Sequence, residues 1–151
     1  MKTFITLLSS SVLLFVACNQ NKPAGDTATA TQDSAKNVKQ CYQATVKTDS
    51  ASLSYENVDG KVTGKLAFNF AEKDDSNGDI TGYFSGDTLF VDYVFNAEGT
   101  VSKNPLVFLK SGNDLKQGYG EIESYLGKTY FKDHSQLKFE DGFLFKPVDC
   151  K

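Results

Sequence analysis

The sequence predicts an all-β domain, an antiparallel meander of about eight strands that closes into a small up-and-down barrel. Apolar and polar residues alternate along short segments, as they do in half-buried antiparallel strands. Turn-forming pairs such as Asp-Gly and Gly-Asp separate these segments at short intervals, as in β-hairpins. Two cysteines, Cys41 and Cys150, stand at the two ends of the alternating region. A two-sheet β-sandwich fits the same pattern and is the alternative.

The alternation is clearest in two segments. In KVTGKLAFNFAE, Val62, Leu66 and Phe68 fall on one face, and in DTLFVDYVFN, Leu89 and Val91 do so. Because short links join the neighbours, the strands form a meander, and closing it into a lipocalin-like barrel removes the exposed edges. Strands are predicted near residues 41–47, 51–58, 61–71, 78–85, 87–96, 103–110, 114–122 and 137–148.

One segment, residues 124–135 (SYLGKTYFKDHS), lacks the alternation. We expect it to form a long connection with up to one helical turn. Four glycines lie inside predicted strands: Gly64, Gly82, Gly118 and Gly120. Glycine within a strand marks a bend, a bulge or the close approach of another backbone, so these positions favour the curvature that a small barrel needs.

The first residues predict export and lipid attachment. One cation, Lys2, precedes a short apolar run that ends in FVAC at Cys18. The run is shorter than the ~20 residues that span a bilayer, and its layout is that of a secretory signal peptide over residues 1–17. FVAC resembles the lipobox of bacterial lipoproteins, which implies cleavage before Cys18 and acylation of Cys18. Phe15 stands where the lipobox commonly has leucine, and an ordinary signal peptide is the alternative.

Residues 18–39 are predicted to be a lipidated cysteine followed by a flexible tether. The segment has almost no large apolar residue, so it cannot bury enough surface to offset the entropy of ordering. Residues 40–151 then form one domain of the usual size. The residues after Cys18 are not acidic, which favours a periplasm-facing position at the outer membrane of a bacterial cell envelope. The membrane, reached through the lipid anchor, is the first predicted partner.

Cys41 and Cys150 are predicted to form a disulfide. With Cys18 assigned to lipid, they make an even pair in an exported protein, and oxidising compartments preserve disulfides. The bond would join the first strand to the last. Two buried free thiols are the alternative. A metal site is disfavoured, because two distant thiols and a lone histidine fall short of four ligands.

Three longer pieces of the chain, VTGKLAFNFAEKD, GDITGYFSGDTLFVDYVFNAEG and LKQGYGE, resemble a family of small, uncharacterised lipoproteins of Bacteroidota. The resemblance covers most of residues 41–150. It implies an envelope address and a barrel with a disulfide across its ends, similar to other small lipid-anchored barrels of bacterial envelopes. The family has no established activity, so no catalytic residue carries over.

Catalysis has little support in the sequence. The lone histidine, His134, lies in the polar segment FKDHSQ between Asp133 and Ser135. Sequence neighbours do not make a Ser-His-Asp triad, and no G-x-S-x-G motif is present. We therefore predict a protein that is not an enzyme and that has no cofactor.

One turn concentrates oxygen ligands and is a candidate calcium site: Asp74, Asp75, Asn77 and Asp79. Carboxylate and amide oxygens suit Ca²⁺. The EF-hand order fails, because Lys73 stands at the first ligand position. A solvated hairpin turn explains the same residues, since Asp, Asn and Gly are turn formers.

The composition disfavours nucleic acid as a partner. The chain has 16 lysines, no arginine and 19 acidic residues, with a net charge of −3. Phosphate recognition relies on clustered basic residues, and on arginine for bidentate contacts. Here the lysines are scattered among acidic residues.

The aromatic residues suggest a function. The chain has 12 phenylalanines, 7 tyrosines and no tryptophan. An eight-stranded barrel either fills its interior with side chains or holds one small ligand. The sequence thus favours binding of a small apolar molecule inside the barrel; the rival function is a structural or interaction module that docks an envelope protein. The candidate ligand-binding residues are Phe68, Phe70, Phe84, Tyr93, Phe95, Phe108 and Tyr119.

Overall fold

The computed structural model describes residues 38–97 and 99–151. A single turn of 3-10 helix covers His134–Gln136. Within the described residues the strands are β1 Gln40–Val46, β2 Asp49–Val58, β3 Lys61–Asn69, β4 Ser76–Ser85, β5 Thr88–Ala97, β6 Thr100–Ser111, β7 Asp114–Gly118, β8 Ile122–Tyr125, β9 Lys128–Phe131 and β10 Leu144–Val148.

Eight of these strands close a barrel. Around it the order is β1-β10-β7-β6-β5-β4-β3-β2, and each neighbouring pair is antiparallel. Strands β8 and β9 form a separate two-stranded hairpin. The predicted all-β up-and-down barrel is confirmed, and the β-sandwich alternative is wrong. In the part of the chain that is described, no helix is long and apolar enough to cross a membrane.

Strand alternation sorts the side chains between the interior and the outer wall. On β3, for example, Val62, Leu66 and Phe68 are buried, whereas Lys65 is exposed. Burying one large apolar side chain stabilises a protein by roughly 1.5–3 kcal/mol, so the interior cluster is the main source of stability. The cluster consists of Tyr42, Ala44, Ala51, Leu53, Tyr55, Val62, Leu66, Phe68, Ile80, Leu89, Val91, Tyr93, Phe108, Leu115 and Phe145.

Two of the four glycines noted in the sequence mark close backbone contacts. At Gly64 a β-carbon would collide with the carbonyl oxygen of Ser54, and at Gly82 with that of Phe90. Each of these oxygens belongs to the neighbouring strand. The strands therefore coil too tightly for any side chain at these positions, as the sequence led us to expect.

Two predicted strands are shorter in the structure. The strand predicted at 114–122 ends at Gly118, and the strand predicted at 137–148 begins at Leu144. Beyond Gly118 the chain leaves the barrel wall: Tyr119 forms an isolated bridge to the segment before β10, and Gly120 lies outside the strands. The ring of Phe139 packs against Gly118, so the apolar alternation before β10 serves packing outside the barrel.

The connection predicted at residues 124–135 contains a hairpin, which the sequence analysis missed. Tyr125 pairs with Lys128 across a two-residue turn. Both turn residues, Leu126 and Gly127, have positive φ, 49° and 74°. Such a turn usually has Asn-Gly or Asp-Gly, so Leu-Gly concealed it. The helical turn expected in this region is present at His134–Gln136.

The barrel closes along a short ladder. Strand β10 pairs with β1 only at residues 41–43 and with β7 only at residues 115–116, whereas β5 and β6 pair along most of their length. The predicted Cys41–Cys150 disulfide is present at this ladder, with Cα atoms 5.3 Å apart. Because Cys41 also pairs with Val148, the bond holds β1 to the residues after β10 and reinforces a ladder of only three paired positions.

Replacing both cysteines, Cys41→Ser together with Cys150→Ser, should lower the free energy of unfolding by about 4–5 kcal/mol. The bond joins residues 109 positions apart, and the chain-entropy model gives about this value for a loop of that size. Urea unfolding of the double variant and of the oxidised parent measures the difference, and the reduced parent is the control. A loss below about 1 kcal/mol would show that the ladder closes the barrel without the bond.

Candidate functional site

The two ends of the barrel differ in their side chains. The closed end, beside the disulfide, contains Gln40, Tyr42, Tyr55 and Phe84. The rings of Tyr42 and Tyr55 stack 5.9 Å apart, and Phe84 packs 6.0 Å from Tyr55. Both tyrosine hydroxyls donate to Oε1 of Gln40, each at 2.9 Å. Large rings whose hydroxyls are already paired plug this end.

The opposite end, here called the open end, contains the half-buried rings of Phe70, Phe95 and Phe143. The Phe95 ring stacks on buried Tyr93 at 4.7 Å. Phe70 and Phe143 both pack on Phe68, at 5.8 and 5.6 Å. Each ring contacts the core and keeps part of its surface in solvent. An apolar molecule that approaches this end therefore meets aromatic faces.

Small residues line the interior wall next to these rings. Ala44 pairs with Ala51 across β1 and β2, and Ala51 pairs with Phe68 on β3. Gly78 stands opposite Phe95 between β4 and β5, but a β-carbon there would collide with the carbonyl oxygen of Val94, so this glycine marks a close approach of two strands and leaves no open space. Directly opposite residues of an antiparallel pair share one face of the sheet. Small side chains facing large rings occupy less of the interior than the stacked tyrosines occupy at the closed end.

Polar groups lie on the same interior face. The Tyr93 hydroxyl donates to Oγ of buried Ser76 at 3.1 Å. Burial raises the pKa of Tyr93, and the Ser76 hydrogen bond opposes this only in part. Asn104 stands opposite Tyr93 on β6 and is nevertheless exposed. Solvent therefore reaches the interior face at this part of the barrel.

Four of the seven aromatic residues chosen from the sequence come together near the open end. They are Phe68, Phe70, Tyr93 and Phe95, and the Phe68 ring meets Tyr93 edge-on at 6.1 Å. These four could be predicted from the sequence because they alternate in phase with aliphatic residues of their strands. The barrel places the aromatic ends of β3 and β5 together at the open end.

The other three lie elsewhere. Phe84 belongs to the closed end, and Phe108 is fully buried against Phe145, with ring centroids 5.5 Å apart. Tyr119 directly follows the end of β7 and is 49% exposed. Its role in ligand binding stays a prediction.

Several residues of the open end were not predicted from the sequence. Phe143 was hidden in a strand predicted too long, although it alternates in phase with Phe145. Gln117 alternates in phase with Leu115 and is likewise buried, which was a readable signal for an inward polar side chain. The small residues Ala44 and Ala51 give no sequence signal, because their role depends on which rings the register places beside them.

The four oxygen-bearing residues of the candidate calcium site do not converge. Oδ1 of Asp75 accepts the backbone N–H of Phe70 at 3.0 Å. Asp79 forms an ion pair with Lys65 on the outer wall, and Asp74 and Asn77 are exposed. Among the described residues, no group of three or more His, Cys, Asp or Glu side chains is placed to hold a metal ion.

His134 and its neighbours form a cap on the 3-10 turn. Oδ1 of Asp133 accepts the backbone N–H of Ser135 at 2.8 Å and its hydroxyl at 2.7 Å. These hydrogen bonds, that of the hydroxyl first, hold the pKa of Asp133 below its ordinary value. The His134 ring stacks on Phe90 of the outer wall, 4.5 Å away. The Ser135 hydroxyl therefore donates to a carboxylate and is not paired with the histidine as a nucleophile would be.

Two depressions of the outer wall were compared with the open end. One, of about 860 Å³, follows β1 to β5 and is lined by short polar side chains such as Ser52, Ser54 and Asn77. The other, of about 300 Å³, lies between the wall and the hairpin and is lined by Tyr83 and Tyr130 among others. Neither is lined by the buried polar residues of the interior face, so the open end is the stronger candidate.

Cys18, the predicted lipidation site, lies outside the described residues, as do the predicted signal peptide and all but the last two residues of the predicted tether. Comparisons of the chain with protein-family models, with curated proteins and with solved structures gave no significant match.

Stability should decline at alkaline pH because of Tyr55. Burial raises the pKa of Tyr55 above the ordinary 10.0, and the Tyr42 hydroxyl adds to the effect. The phenol then stays protonated in the folded state at a pH where the unfolded chain has already ionised it. The contribution of Tyr55 to the free energy of unfolding is therefore complete below about pH 10 and is lost as the pH rises further.

Urea-unfolding midpoints from neutral to alkaline pH measure this decline, and Tyr55→Phe should reduce its steepness. Tyr83→Phe is the matched control, because the Tyr83 ring is 52% exposed on the outer wall. An equal decline in the parent and in Tyr55→Phe would contradict the assignment of the alkaline sensitivity to the closed end.

Proposed function

We propose that the protein binds one small apolar molecule in the open end of the barrel. The observation that carries the proposal is the difference between the two ends. The closed end is plugged by stacked tyrosines with paired hydroxyls. The open end presents Phe70, Phe95 and Phe143 half-buried, and the small residues Ala44 and Ala51 are part of the interior wall next to them. Ligand sites in proteins are concave, mostly apolar and equipped with a few polar groups.

The exposed parts of these rings give the binding its driving force. Removing apolar surface from water contributes roughly 25 cal/mol per Å², and the cost of association is subtracted from this. The half-exposed faces of Phe70, Phe95 and Phe143 are the apolar surface that the ligand would cover.

The proposed setting is the bacterial cell envelope, with the protein anchored through acylated Cys18. The short apolar run followed by FVAC supports this setting, and the disulfide agrees with an oxidising compartment. A lipid anchor keeps the barrel beside a membrane, where apolar molecules concentrate. The proposed activity is therefore uptake of such a molecule close to the membrane surface.

A single introduced tryptophan tests the proposal, because the chain has none of its own. In Phe95→Trp the indole replaces a half-buried ring of the open end. In the matched control, Phe84→Trp, it replaces a half-buried ring of the closed end. Titration with the apolar probe N-phenylnaphthylamine should change the F95W emission saturably and leave the F84W emission unchanged.

Equal responses of the two variants would mean that the probe does not distinguish the ends, and would contradict the proposal. The absence of any response in folded F95W would contradict it as well. Folding of both variants is checked by their urea-unfolding midpoints.

A second candidate function, docking of an envelope protein, is favoured by the hairpin. Leu126 is 84% exposed and Tyr125 is 67% exposed at its tip. Leu126 also has positive φ, a conformation that costs a side-chain-bearing residue about 1–2 kcal/mol. An exposed apolar residue held in a costly conformation is typical of contact surfaces. If a folded F95W variant responds to no apolar probe, protein docking through this hairpin becomes the favoured function.

A further inference from the structure

We infer that the bound molecule is neutral and carries a hydrogen-bond donor, a hydroxyl or an N–H group, that pairs with Oε1 of Gln117 inside the barrel. The inference rests on the function proposed above and names the chemistry of its ligand. It follows from the position of Gln117, from the state of its side-chain oxygen and from the charges of the interior.

Gln117 lies on the interior face of β7, next to the open end. It stands opposite Phe108, which is fully buried. Its backbone N–H donates to the carbonyl of Phe143 at 2.9 Å, so it neighbours one of the three rings of the open end. The Phe143 ring in turn packs 5.6 Å from Phe68. Gln117 thus lies within the wall that a molecule in the open end would face.

The side chain of Gln117 is only 5% exposed, and its Oε1 is buried without a hydrogen-bond donor from the described protein. The other interior polar groups are paired: Tyr93 with Ser76, and the tyrosines of the closed end with Gln40. A buried carbonyl oxygen without a donor is rare, because it has lost its hydration and gained nothing in return. Gln117 lies on the same interior face as Leu115. Its buried, unpaired oxygen is therefore best explained by a hydrogen-bond donor that a ligand supplies.

The charges of the interior narrow the class of ligand. Apart from tyrosines, Ser76 and Gln117 are the buried residues with polar side chains among those described, and neither is charged. A carboxylate placed beside Oε1 would be an unpaired buried anion facing a carbonyl oxygen, which is strongly unfavourable. A pure hydrocarbon would leave the oxygen unpaired. A neutral, mostly apolar alcohol, phenol or amide can pack against the rings and also donate a hydrogen bond to the oxygen.

Two probes of nearly equal shape test this chemistry: naphthol, which has a hydroxyl donor, and methoxynaphthalene, in which a methyl ether replaces it. Calorimetric titration of the purified protein should show naphthol binding about tenfold more tightly, because the ether leaves a buried acceptor unpaired. In Gln117→Leu the preference should fall to about one, with binding of the ether retained. Gln43→Leu makes the same substitution at an exposed position on β1 and should keep the preference.

Equal binding of the two probes by the unmodified protein would overturn the inference and leave the proposed function standing, since the site would then exist without a role for Gln117. A preference that persists in Gln117→Leu would also overturn it. Failure of both probes to bind would overturn the proposed function itself, and this inference with it. The comparison in the unmodified protein decides the question even if Gln117→Leu does not fold.

Discussion

The short ladder that closes the barrel is the constraint on which the rest of the structure depends. Strand β10 spans only Leu144–Val148 and must join both β1 and β7. Without it, those two strands would be edges with unpaired backbone groups, and the interior rings would lose one wall. The Cys41–Cys150 bond reinforces the β1 side of this ladder, where only three positions pair. Covalent closure therefore compensates for hydrogen bonds that a five-residue strand cannot supply.

Strand β7 is as short as β10, and its shortness opens one end of the barrel. Strand β6 pairs with β7 only at residues 107–111, so its first half rises beyond the neighbouring wall. Asn104, on the interior face of that half, is exposed as a result. At the closed end the disulfide, the stacked tyrosines and the Gln40 hydrogen bonds coincide. The covalent cross-link lies at this end, whereas the rings of the other end keep part of their surface in solvent.

The sequence predicts most of the barrel because period-two alternation and turn residues are local signals. The disulfide was predictable because two cysteines bracket the domain. The β8–β9 hairpin was not, because Leu126 occupies a turn position where asparagine or glycine is the usual sign. The start of β10 was misplaced because the apolar alternation continues upstream into Phe139, which packs outside the barrel against Gly118. Alternation reports that one face is buried, but not which surface buries it.

The open end was predictable only in part. Phe68, Phe70, Tyr93 and Phe95 could be selected because each alternates with the aliphatic residues of its strand. The small residues opposite them could not, since pairing such as that of Ala51 with Phe68 depends on register.

Native mass spectrometry of the protein extracted from its own host's envelope tests the central claim most directly. The account predicts one discrete added mass, released on denaturation and belonging to a neutral apolar molecule with a hydroxyl or N–H group. A protein mass with no releasable addition would contradict it and identify a filled barrel.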